Sequence, residues 1–156
     1  MKDNAGNISH LKCLFAGRMP EIDGEETLAQ AKDVFAAGIY GAVKRSACKA
    51  TPKIKMVVYE MIKDGTFQQI FGGFGENLKR LVWTESQIVV FCRNHRDLLR
   101  KEGYGTFFIF EGEDGGVFVA DVRVHVDGRL LVRVDSLGSD SVWYASYQHR
   151  IVVPQL

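Results

Sequence analysis

VFVADVRVHVDGRLLVRVD, Val117–Asp135, alternates apolar and charged residues on both sides of Asp127-Gly128. That is the pattern of two antiparallel strands joined by a tight turn. Two registers compete. A two-residue turn sets Val126 opposite Arg129, Val124 opposite Leu131 and Val122 opposite Arg133, which mixes apolar and charged residues on both faces. A three-residue loop, Val126-Asp127-Gly128, with Gly128 in the left-handed position of a bulge, shifts the pairing by one. Val124 then faces Leu130, Val122 faces Val132 and Ala120 faces Val134. The other side pairs Asp121 with Arg133, Arg123 with Leu131 and His125 with Arg129. A one-residue slip turns every side chain to the other face, so burial selects the bulged loop. Asp121, Arg123, His125, Arg129 and Arg133 are thereby expected on a solvent-facing side, with one cross-strand ion pair.

The same alternating period runs through the rest of the C-terminal third. Strands are expected near Gly105–Glu111, Val117–Val126, Arg129–Asp135, Val142–Tyr147 and His149–Val153, with short turns between them. Upstream the period reads as helical. A first helix is expected over Glu25–Ala37, with acids in its opening turn. A second is expected after Thr51 as N-cap and Pro52 as first residue, burying Ile54, Val57, Val58, Met61 and Ile62 and stopping at Gly65. A third opens on the capping box Thr84-Glu85-Ser86-Gln87, buries Ile88, Phe91, Cys92, His95, Leu98 and Leu99, and closes at Gly103. Helices first and strands last argue for an α+β class over alternating α/β. The expected architecture is N-terminal helices packed on a C-terminal antiparallel β-meander of about five strands, a sheet able to curl into a small barrel. Residues 1–12 read as a mobile tail and 13–156 as a single domain, mainly helical over 13–103 and a meander over 104–156.

At 156 residues, 46% hydrophobic and 25% charged, the chain has the composition of a soluble globular protein with room for a core. A formal charge of +1 excludes a global field that would pull it onto nucleic acid or an anionic membrane. The apolar run Val34–Val43 is too short to span a bilayer. Three cysteines cannot all pair, and the polar opening MKDNAGNISH has no signal-peptide core, so a reducing cytoplasmic setting is expected. Lysines concentrate before residue 80, Lys101 being the later exception, whereas Arg123, Arg129, Arg133 and Arg150 serve the last third. Arginine brings a planar fork for carboxylate or phosphate where lysine brings a point charge.

No motif names a chemistry: G-x-S-x-G, H-E-x-x-H and a P-loop ending are all missing. The glycine-rich FGGFGENLKR lacks the strand and the Lys-Ser/Thr that phosphate loops need, so its glycines are read as turn formers and Phe71 and Phe74 as anchors. His10-x2-Cys13 and Cys92-x2-His95 have zinc-compatible spacing. Cys92 and His95 fall on an apolar helix stripe, however, and no metal or other cofactor is expected. Lys44–Lys55 holds five bases and no acid, the main electrostatic feature of the first half. The leading expectation is a non-catalytic binding module for a protein or nucleic-acid partner, without a membrane role and with its oligomeric state open. Its contacts would be Arg123, His125, Arg129 and Arg133, with Lys44, Arg45 and Lys49 as auxiliaries. The alternative is a small metal-independent, toxin-like ribonuclease that uses His149, Arg150 and Tyr147 for acid–base and phosphate contacts.

Overall fold

The computed structural model describes residues 9–41, 49–112 and 114–155. Seven strands form one mixed sheet: β1 (Leu11–Met19), β2 (Gly38–Tyr40), β3 (Ile54–Met61), β4 (Gly105–Glu111), β5 (Val117–Val124), β6 (Leu130–Ser136) and β7 (Arg150–Pro154). Their order is β1-β3-β7-β4-β5-β6-β2, with β7 parallel to β4, β2 parallel to β6, and every other pairing antiparallel. The sheet is open, with β1 and β2 at its edges. Two α-helices, α1 (Phe67–Gly72) and α2 (Glu85–Asn94), occur among the described residues. Helices packed ahead of a five-stranded antiparallel meander is therefore the wrong architecture, and there is no closed barrel.

The error has a physical source in β3. Met56 and Val58 enter one core with Ile88 and Phe91 of α2, whereas Val57, Tyr59 and Met61 enter a second core with Phe67, Ile70 and Phe71 of α1. A strand buried on both faces loses its polar alternation, and a continuous apolar run satisfies helical spacing equally well. The β-branched and aromatic run Val57-Val58-Tyr59 was the strand signal. Each such side chain taken fully out of water contributes ~1.5–3 kcal/mol, so the two-sided core outweighs the good caps at Thr51 and Pro52.

The expected helix over 25–37 shrinks to one 3-10 turn, Leu28–Gln30. Leu28, Ala31, Val34 and Phe35 are buried at helical spacing, but through successive turns. The Leu28 N–H donates to Glu85 Oε1 on α2, 3.0 Å away, a tertiary contact that replaces a helical bond. The capping box at Thr84 forms as read. Thr84 Oγ1 accepts from the Gln87 N–H and the Gln87 amide oxygen from the Thr84 N–H, but the helix ends at Asn94 and a 3-10 turn, Arg96–Leu98, carries the chain on. Of the expected tail, residues 1–8 lie outside the described residues, while Leu11 and Lys12 open β1. No helix among the described residues is long and apolar enough to cross a membrane.

Candidate functional site

The β5–β6 hairpin has the bulged register: Val124 faces Leu130, Val122 faces Val132, Ala120 faces Val134 and Asp121 faces Arg133. Gly128 has φ +88°, its N–H donates to the His125 carbonyl, and the His125 N–H donates to the Arg129 carbonyl. Ala120, Val122, Leu130, Val132 and Val134 fill the core on the α2 side. The charged side is where the expectation fails. Midway along the hairpin that face is covered, and Asp121 is 0% exposed.

The cover is the connection from β6 to β7. The expected strand over Val142–Tyr147 does not form; Trp143 makes an isolated bridge to Gly65, and Ala145–Tyr147 is a 3-10 turn. The Trp143 ring packs at 5.0 Å from Phe67 and 4.9 Å from Phe107, so apolar burial pulls this segment down over the sheet. Gln148, in the left-handed region with φ 55°, then turns the chain into β7.

Beneath the cover, Arg123 binds Asp121 rather than leaving it to Arg133. Nε and Nη2 donate to the carboxylate, at 2.9 Å for the Nη2–Oδ2 contact, and Nη1 donates to the Gly103 carbonyl at 3.1 Å. A guanidinium has five N–H groups, so three bonded positions leave part of the fork for another acceptor. Burial pushes the Asp121 carboxyl above the ordinary carboxylate range, and the Arg123 fork opposes that rise. Gly105 makes room for the carboxylate, since a methyl group there would come within 2.5 Å of Asp121 Oδ1.

His149 lies beside this pair, 3% exposed, with its ring stacked at 5.2 Å on Phe107 and edge-on to Trp143. The Gly105 N–H donates to Nδ1 at 2.9 Å, which assigns the neutral ring's proton to Nε2. Burial, reinforced by the Arg123 charge, lowers the His149 pKa to about 4. Tyr104 and Tyr147 stack on each other at 4.8 Å, and Arg100 lies over Tyr104 while its Nε donates to the Tyr147 carbonyl. Tyr144, 51% exposed, meets Tyr147 only edge-on. Together with Val142 these groups enclose a cleft of about 400 Å³, open to solvent and lined by Arg123, Trp143 and His149. The Trp143 indole N–H is buried without a hydrogen bond among the described residues.

The cleft thus unites Arg123 with His149 and Tyr147, residues from two separate sequence readings. It does not include the hairpin tip. His125 and Arg129 are exposed there and both contact Asp127, at 3.3 Å and 2.8 Å. Arg133 is exposed and pairs in register with Tyr40 of β2. Lys49 is exposed in a loop elsewhere, and Lys44 and Arg45 lie outside the described residues. Arg150 works on the other side of the sheet, its Nη1 donating to the Leu98 carbonyl beside the α2-side core. The zinc-compatible residues stay apart. Cys92 is wholly buried in the α2-side core and its thiol is raised by burial, Cys13 packs on the α1-side core, His95 follows α2 against Phe91, and His10 contacts Ser9. The glycine-rich segment behaves as read: Phe71 is buried and Phe74 packs edge-on to Tyr59.

Sequence reading missed Tyr104 and Arg100 as parts of the site. The available signal was an aromatic between Gly103 and Gly105 at the start of a strand, a place where a side chain projects from a sheet end. No family model matches this chain, and no curated protein and no solved structure matches it either.

Proposed function

We propose that this chain is a non-catalytic binding module for a protein or nucleic-acid partner, gripped in the cleft beside Arg123. The observation that supports this is Arg123, held rigid by Asp121 and Gly103 with donors to spare, set beside aromatic rings in one concavity. Arginine and large aromatics dominate binding energy at interfaces, and concave, largely apolar sites with a few fixed polar groups are the usual ligand sites. The contact centre moves from the hairpin tip to Arg123, because His125 and Arg129 already share Asp127. The free, buried thiol of Cys92 fits a reducing, cytoplasmic setting.

The ribonuclease reading draws on one observation, the presence of His149 and Tyr147 in the same cleft. It needs groups that exchange protons near working pH. His149 is neutral there with Nδ1 already engaged, Asp121 is locked to Arg123, and Arg150 acts on the opposite face. A binding site is the better use of these groups. The test follows the Trp143 indole N–H resonance while benzoate and phenyl phosphate are titrated in, and separately incubates the protein with labelled single-stranded RNA. The expected result is a saturable shift that disappears in the Tyr144→Ala/Tyr147→Ala double variant, with the RNA left intact. RNA cleavage that His149→Ala removes, or no response to any planar anion, overturns the reading.

A further inference from the structure

We infer that the cleft takes a single nucleotide unit, its base stacked on Tyr144 and its adjoining phosphate held by Arg123. The inference rests on the binding reading above and names the ligand of that same site. Charge makes the first selection. An aromatic cleft can hold organic cations, but this one has the Arg123 guanidinium in its wall and Arg100 behind Tyr104, and no carboxylate among its described lining residues; of the acids nearby, Asp121 is buried on Arg123 and Asp64 accepts from the Ala145 N–H. The fitting ligand is an anion.

Ring geometry makes the second selection. Tyr104 and Tyr147 cover each other, whereas Tyr144 has only an edge contact and half its surface in solvent. Its face is a stacking platform, and every nucleobase offers a matching one; an acidic peptide side chain does not. His149, with its proton on Nε2, adds a neutral donor for a base carbonyl or a phosphate oxygen. Size makes the third. A cleft of about 400 Å³ is at the small end of ligand sites, enough for one unit and not a strand. The +1 chain and the self-paired arginine at the hairpin tip provide no continuous track for further phosphates.

The unit has two sources, a free nucleotide or one residue of a single strand, and one titration series separates them. AMP, UMP and octauridylate are titrated separately while Trp143 fluorescence and its indole resonance are followed, with Trp83 in the core as the internal reference. Saturable binding of both mononucleotides is expected, about tenfold weaker in Tyr144→Ala and unchanged in Arg129→Ala. The mononucleotides should show the shallow salt dependence of one screened ion pair. Octauridylate binding no tighter per unit than UMP identifies the free nucleotide as source; much tighter binding with a steeper slope identifies the strand. Both keep the shared chemistry. If benzoate binds and neither nucleotide nor oligonucleotide does, the inference is overturned while the binding reading survives. If benzoate and phenyl phosphate also fail, both fall together.

Discussion

The tip and the middle of the β5–β6 hairpin carry the same kinds of residue, a carboxylate beside an arginine, yet they have become different chemistry. At the tip, Asp127 meets His125 and Arg129 in open solvent. In the middle, Asp121 meets Arg123 under Trp143, where the carboxylate is wholly buried. What separates them is the covering segment, which excludes water from one ion pair and leaves the other screened. An Asp/Arg pair on a strand is a solvated ornament or the wall of a site according to what lies over it.

The sharpest way to break that comparison is to remove each arginine in turn. Arg123→Met strands a buried carboxylate and should cost ~3–5 kcal/mol in urea denaturation. Arg129→Met should leave the denaturation midpoint unmoved, and equal losses would mean that burial does not separate the two pairs. The next effect is in the pH dependence. Neutral His149 in the fold titrates near 4, whereas an unfolded histidine takes up its proton near 6.5, so its contribution is complete above that ordinary value and is lost as pH falls toward 4. At about 1.4 kcal/mol per pKa unit the loss is on the order of 2–3 kcal/mol, and His149→Gln should flatten it. The raised Asp121 carboxyl acts in the opposite sense above its ordinary 3.8, so the difference between wild type and His149→Gln is the quantity to read. Smaller again is Gly128→Ala at the tip. No atom lies within 4 Å of the added methyl, so only the backbone cost of a positive φ remains, about 1 kcal/mol by thermal melting.

These contrasts also mark where sequence was informative. The hairpin register was legible because alternation, a turn residue and burial all pointed to one pairing, and β4, Gly105–Glu111, has the bounds read from its aromatic run. The α2 start was legible because a capping box is a local device whose partners lie three residues apart. β3 was not, since its neighbours are β1 before it in sequence and β7 far behind. Two-sided burial by such distant partners erased the period that distinguishes strand from helix. The site failed to appear for the same reason. Tyr104, Arg123 and His149 come from three separate stretches that strand pairing and the Gly105–His149 bond bring together, and the fold of Trp143 onto Phe67 and Phe107 closes the cleft beside them.

The position of β7 has a consequence for how the molecule is made. Residues 150–154, the last of the described strands to leave the ribosome, insert between β3 and β4 in the middle of the sheet. Until they emerge, the β1–β3 pair and the β4–β5–β6–β2 group have no strand to join them, and each presents an unpaired edge. Assembly waits on long-range closure, the slow kind. The same insertion sets His149, the residue just before β7, into place last, so the cleft and the sheet are completed in one step.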